Sequence, residues 1–139
     1  MKRSMRLLLD LTKREASLII SKDILALSTV SQHGWPHCVP VSYVYLNGKF
    51  YIPASSKSKK IRNLRQNHCA TILMDDAEIE SGVMMECEPK ILIGAKAKKF
   101  REYVRRVKGW QSDATTVIIV LTPLRKASWF LKSRKVRPF

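Results

Sequence analysis

Tyr51-Ile-Pro-Ala-Ser-Ser-Lys-Ser-Lys-Lys-Ile-Arg-Asn-Leu64 is the stretch that orders the rest of the chain. The β-rich run Lys49-Phe50-Tyr51-Ile52 empties into small hydroxyl residues and clustered cations. A short helical pattern follows, with Ile61 and Leu64 on one face. Ser58 has the residue type and place of an N-cap, which sets Lys59 and Lys60 in the first turn. The helix dipole disfavours cations there, and the first N–H groups lack helical partners. A bound anion, a phosphate above all, resolves both conflicts. A solvated basic turn would carry the same residues, so the flanking segments decide.

Upstream, Ile24-Leu-Ala-Leu-Ser-Thr-Val30 reads as a buried strand and Ser31 to Pro36 as a turn, with Gly34 free to take positive φ. His37 to Tyr45 is the next strand, and Asn47-Gly48 is a two-residue hairpin signal leading into Phe50-Tyr51-Ile52. Ala70-Thr-Ile-Leu-Met74 is a further strand after the short helix.

This order of parts resembles the flavin-binding split-barrel family that includes pyridoxamine 5′-phosphate oxidase. The resemblance rests on Leu25-Ala-Leu-Ser-Thr-Val30, Gly34-Trp-Pro-His37, Val39-Pro-Val-Ser-Tyr43, Asn47-Gly48, Tyr51, Ser55, Ser58-Lys-Lys-Ile-Arg-Asn-Leu64 and Ala70 to Met74. It is good from Ile24 to Asp76 and weaker from Val117 to Trp129. The implied fold is mainly β (α+β), a split β-barrel with flanking helices. The implied cofactor is FMN, with the deazaflavin F420 as alternative, held between two subunits of a homodimer. The resemblance sets Ser58, Lys59 and Lys60 at the phosphate, and Pro53, Ala54 and Ser55 beside the phosphate and ribityl chain. It sets His37, Cys38, Val39, Pro40, Val41 and Ser42 along the isoalloxazine ring. Trp129 and the basic C-terminal segment would reach the partner's cofactor. Val39 and Val41 would be core residues and Ser58 a cap in any case; Lys59 and Lys60 have no strong reason other than the ligand.

The chain departs from the family pattern at several places. Lys59 stands where Arg is common, Ala54 where Thr is common and Lys57 where Gly is common. Arg134-Lys-Val-Arg-Pro138 contains no His, so the Arg-x-His arrangement of the vitamin B6 oxidase is missing and that activity is disfavoured. No side chain stands out as general acid, base or nucleophile. The expected function is a flavin-dependent oxidoreductase acting on a small molecule. A flavin- or haem-binding carrier and a basic nucleic-acid-associated protein are the other classes.

At 139 residues and 45% hydrophobic content the chain can bury one sizeable core, giving a single domain over 1–139. No apolar run approaches a membrane span, and Met1 to Asp10 is too short in its apolar part for a signal peptide, so a cytoplasmic protein is expected. Residues 1–22 read as a helical segment, with a capping box Thr12-Lys-Arg-Glu15 opening a helix over Lys13 to Ser21. Cys38, Cys69 and Cys87 show no disulfide framework, and the pairs His37-Cys38 and His68-Cys69 lack metal-ligand spacing, so no metal site is expected.

The formal net charge is +15, concentrated in Lys57 to Arg65, Lys96 to Lys108 and Arg125 to Arg137. Such a balance favours acidic partners. No zinc-finger spacing, heptad run, RNP motif or helix-turn-helix accompanies it, which argues against nucleic acid. The second half adds strand segments Val83 to Glu88 and Lys90 to Ile93 around Pro89, and a helix from Lys96 to Val107. Strands Thr115 to Leu121 and Lys126 to Lys132 follow, then a basic tail over 132–139.

Overall fold

A computed structural model describes residues 9–131. Residues 1–8 of the expected N-terminal segment and the basic tail 132–139 lie outside the described residues. The chain runs α1 (Lys13–Ser21), β1 (Ile24–Val30), β2 (Pro36–Ser42), β3 (Val44–Leu46), β4 (Lys49–Ser55), α2 (Lys59–Gln66), β5 (Ala70–Asp76), β6 (Ser81–Leu92), α3 (Gly94–Lys108) and β7 (Thr116–Phe130). The strands form one antiparallel seven-stranded sheet in the order β2-β1-β5-β6-β7-β4-β3. The sheet curls until β2 approaches β4, but no ladder joins them. This is the mainly β split barrel with flanking helices.

Alternation along the strands fills the barrel. Leu25 and Leu27 of β1, Phe50 and Ile52 of β4, Ile72 and Met74 of β5, and Val83 and Met85 of β6 are buried in one cluster. Asn47 and Gly48 take φ of 51° and 81°, the left-handed pair that their hairpin signal called for. Three strand readings need correction. His37 to Tyr45 is two strands, not one. At Tyr43 the chain leaves β1 and joins β4; its N–H bonds the carbonyl of Asp23 and its hydroxyl the carbonyl of Ile19. Burial, with the charge of Asp23, pushes the Tyr43 phenol up from its ordinary value. Pro89 does not divide β6, nor Pro123 β7.

The strand prolines share a physical reason. Beyond Cys87, β6 has left β5 and pairs only with β7, and Pro89 falls there. Beyond Leu121, β7 has left β4, and Pro123 falls there beside a bulge at Leu124. Pro53 lies where β4 has passed the end of β3, and Pro40 lies on the edge strand β2. A proline costs no ladder bond when its nitrogen faces a side without a neighbour.

The far half of β7 is tied to α1 by Glu15, which is buried. Its carboxylate accepts from Lys126 Nζ and Ser128 Oγ, each at 2.6 Å, and from the Thr12 N–H at 2.9 Å. Thr12 Oγ1 accepts from the Glu15 N–H, completing the expected capping box. Burial alone would raise the Glu15 pKa; the bonds from Lys126, Ser128 and Thr12 outweigh it and hold the group at about 2, against 4.5 ordinarily. The folded chain therefore binds fewer protons than the unfolded chain between those values. The stability from this site is complete above about pH 4.5 and is lost as the pH falls toward 2. Glu15→Gln is expected to lower stability at neutral pH by about 3 kcal/mol and to flatten the acid limb, measured by urea unfolding from pH 7 to pH 2.

Candidate functional site

The split between β2 and β4 ends at the corner where β4 turns into α2. Pro53 and Ser55 belong to the part of β4 beyond β3, and His37 to Ser42 belong to the edge strand β2. The curl of the sheet brings β2 and β4 near one another, so the two sequence-predicted groups lie on the two strands that flank the split. Neither flank is closed by a neighbouring strand, so backbone polar groups of both strands remain open to a ligand.

The corner itself is ordered by its hydroxyls. Ser56 N–H bonds the Thr115 carbonyl at 2.9 Å, and Lys57 N–H bonds Ser55 Oγ at 3.3 Å. Arg62 Nη1 holds the Lys57 carbonyl at 3.2 Å. Ser58 occupies the N-cap position, with φ −72° and ψ 157°, but does not cap with its side chain. Its Oγ donates instead to the Ser55 carbonyl at 2.8 Å. The helix start is therefore left without a side-chain acceptor, and the first turn holds no acid. Lys59 is exposed and Lys60 half-buried beside it. Among the described residues, no acidic side chain is paired with these donors and cations.

The side chains of the expected site residues divide between the barrel core and the surface. Ala54 and Val41 are buried in the barrel core, so they offer a ligand only their backbone. His37 faces the same interior, paired in register with Thr29, and its Nδ1 is buried with no hydrogen-bond partner. Cys38, Pro40 and Ser42 lie on the opposite face of β2 from Val39 and Val41. Trp129 is not brought to the cleft. β7 pairs with β4 only from Thr116 to Leu121, and Trp129 lies beyond that ladder, opposite Gly82 of β6. Its ring lies over Gly82, where an added Cβ would collide with it.

Sequence reasoning missed the residues that aim α2. Asn63 is buried within the helix and donates from Nδ2 to Thr29 Oγ1 at 3.0 Å. Asn67 at the C-cap donates to the carbonyls of Val30 and Ser31, both at 3.1 Å. These bonds fix α2 against β1 and so fix its first turn at the end of the cleft. An Asn on the apolar side of a helix, between Ile61 and Leu64, was the available signal, since Asn is unfavourable there without a partner. Asn63→Leu should cost about 1–3 kcal/mol, because the Thr29 hydroxyl loses its buried partner, with thermal unfolding as the measure.

Residues 11–130 match the family Pyridoxamine 5′-phosphate oxidase, and the chain belongs to that family. No curated protein matches it by sequence. Among solved structures, it is similar to a conserved hypothetical protein from Mycobacterium tuberculosis, with 21% identity and a TM-score of 0.76, covering 96% of this chain and 94% of that one. It is similar to a pyridoxamine 5′-phosphate oxidase-related, FMN-binding protein from Nostoc punctiforme, with 15% identity and a TM-score of 0.66, covering 84% and 78%. An F420 reductase is also similar, with 18% identity and a TM-score of 0.63, covering 75% and 88%. At these identities the likeness is one of fold.

Proposed function

We propose that the chain binds FMN in the β2–β4 split and serves as a flavin-dependent oxidoreductase for a small molecule. The observation that carries this reading is the uncapped, acid-free and cationic start of α2 at the end of a cleft. A phosphate dianion supplies what that corner lacks. Lys59, Lys60 and the Ser58 hydroxyl would hold the phosphate, and Ser55 with the Pro53–Ala54 backbone would meet the ribityl chain. The β2 edge from His37 to Ser42 would lie along the ring, with the unpartnered His37 Nδ1 as a polar group beside it. Bound flavin supplies hydride and electron transfer; the protein contributes position, field and exclusion of water. The FMN-binding Nostoc relative supports the reading, and the F420 reductase supports the deazaflavin as the alternative cofactor. FMN titration is the test. Lys59→Ala with Lys60→Ala should weaken binding by about 2–4 kcal/mol, from about 1–2 kcal/mol for each charge-assisted contact. Unchanged affinity would remove this site, and binding of F420 but not FMN would change the cofactor.

The reading includes a homodimer. Among the described residues, the outer face of the sheet is covered by α3 over β4, the first half of β7 and the end of β6. Register aligns Pro40, Ala26, Leu73, Met84 and Ala127 in one row across β2, β1, β5, β6 and β7 that no described helix covers. Ile24, Met84 and Trp129 are exposed on that face, which is unusual for a chain that remains alone. A second copy there would cover it and bring Trp129 toward the other subunit's cleft. Cys38 is exposed on the same face, Cys69 is exposed, and buried Cys87 has its thiol pushed up to about 12 by desolvation. Light scattering should give twice the chain mass of 16.0 kDa. In the dimer a thiol reagent should modify Cys69 quickly, Cys38 slowly and Cys87 only on unfolding. The free thiols and the lack of a long apolar helix among the described residues accord with a cytoplasmic protein, which is part of the proposal.

A further inference from the structure

Helix α3 does more than cover the sheet. Ala97 packs with Ile118 and Val120, and Phe100 stacks on Tyr51 with centroids 4.9 Å apart and planes 17° from parallel. Tyr103 packs on Phe100 at 5.6 Å, and the guanidinium of Arg106 stands 5.7 Å from the Tyr103 ring. Between this aromatic flank and the β3–β4 hairpin lies a groove of about 400 Å³, lined by Leu46, Leu92, Lys96, Lys99, Phe100 and Tyr103. Its floor is apolar and its charged residues are all cations. Neither Lys96 nor Lys99 has a carboxylate partner among the described residues. The groove shares no lining residue with the candidate phosphate corner, which begins at Ser55: Leu46 pairs with Lys49, and Leu92 of β6 lies in the row of Pro53 through Ile118 of β7.

We propose that this groove is a second ligand site, which takes an amphipathic organic anion with a flat or elongated apolar body and one carboxylate or sulfonate head. Phe100, held in place by its stack on Tyr51, and Tyr103 give a rigid wall for the body. Lys96 and Lys99 give two ammonium groups for the head. The volume suits a small molecule. A nucleic-acid backbone would call for a row of cations rather than an apolar floor.

The test uses 8-anilinonaphthalene-1-sulfonate and its uncharged analogue N-phenyl-1-naphthylamine, by fluorescence titration of the whole chain saturated with FMN. The expected result is saturable binding of the sulfonate, one per chain, that FMN does not displace. Lys96→Glu with Lys99→Glu should weaken the sulfonate at least tenfold and the neutral probe less than twofold. Lys98→Glu with Arg105→Glu makes the same change of net charge on a different flank of α3 and should leave both within twofold. All four positions are exposed, and circular dichroism confirms the fold of each variant. Displacement by FMN, equal loss in the two double variants, or no saturable binding would overturn the proposal.

Discussion

Two strands that meet and do not pair set the shape of this protein. The sheet curls far enough to bring β2 and β4 together, and a ladder between them would close the barrel. Pro40 in β2 and Pro53 in β4 each remove a donor from the strands that would have to form it. The split stays open, two flanks keep unpaired backbone groups, and the chain must turn at Ser55 into α2 rather than extend the sheet. The anion-ready corner is a consequence of that turn. So is the place of Asn63, whose bond to Thr29 holds the helix across the barrel mouth.

The same sheet explains the division of its outer face. β6 and β7 are long strands, 12 and 15 residues, and each passes from one half of the sheet to the other. One end of the pair lies under α3, and the other is bare among the described residues. Over the bare end the register lines up small and apolar side chains, and Gly82 leaves room for Trp129 to lie flat. On the inner side of that end, buried Glu15 binds Ser128 and the half-buried Lys126, so an ion pair rather than a helix stripe anchors the end of β7. Removal of one partner from such a pair leaves an uncompensated buried group.

Much of this was legible from residue order. The β1 alternation, the Asn47-Gly48 hairpin, the Thr12–Glu15 capping box and the Lys59-Lys60 corner each have a local cause, and local causes can be read from sequence. The missed features depend on distant neighbours. Pro89 and Pro123 read as breaks because the departure of β5 and β4 from their partners cannot be seen along the chain. Ser58 has the residue type of a side-chain cap, but the carbonyl of Ser55 takes its hydroxyl instead. The core orientation of Ala54 follows from strand phase, which residue identity alone left open. The second cationic groove was invisible because Leu46 and Lys96 meet only through the pairing of β3 with β4 and of β4 with β7.

The open split is the proposed place of cofactor entry. Backbone amide NMR of the chain, titrated with FMN, observes that place directly. The amides of His37, Cys38, Val39, Val41 and Ser42 on β2 should shift together with those of Ala54 to Lys60, saturating at one flavin per chain. The α3 amides of Lys96 to Tyr103 should remain still. Shifts confined to α3 or to the outer face of β6 and β7, with the β2 edge and the α2 start unmoved, would contradict it.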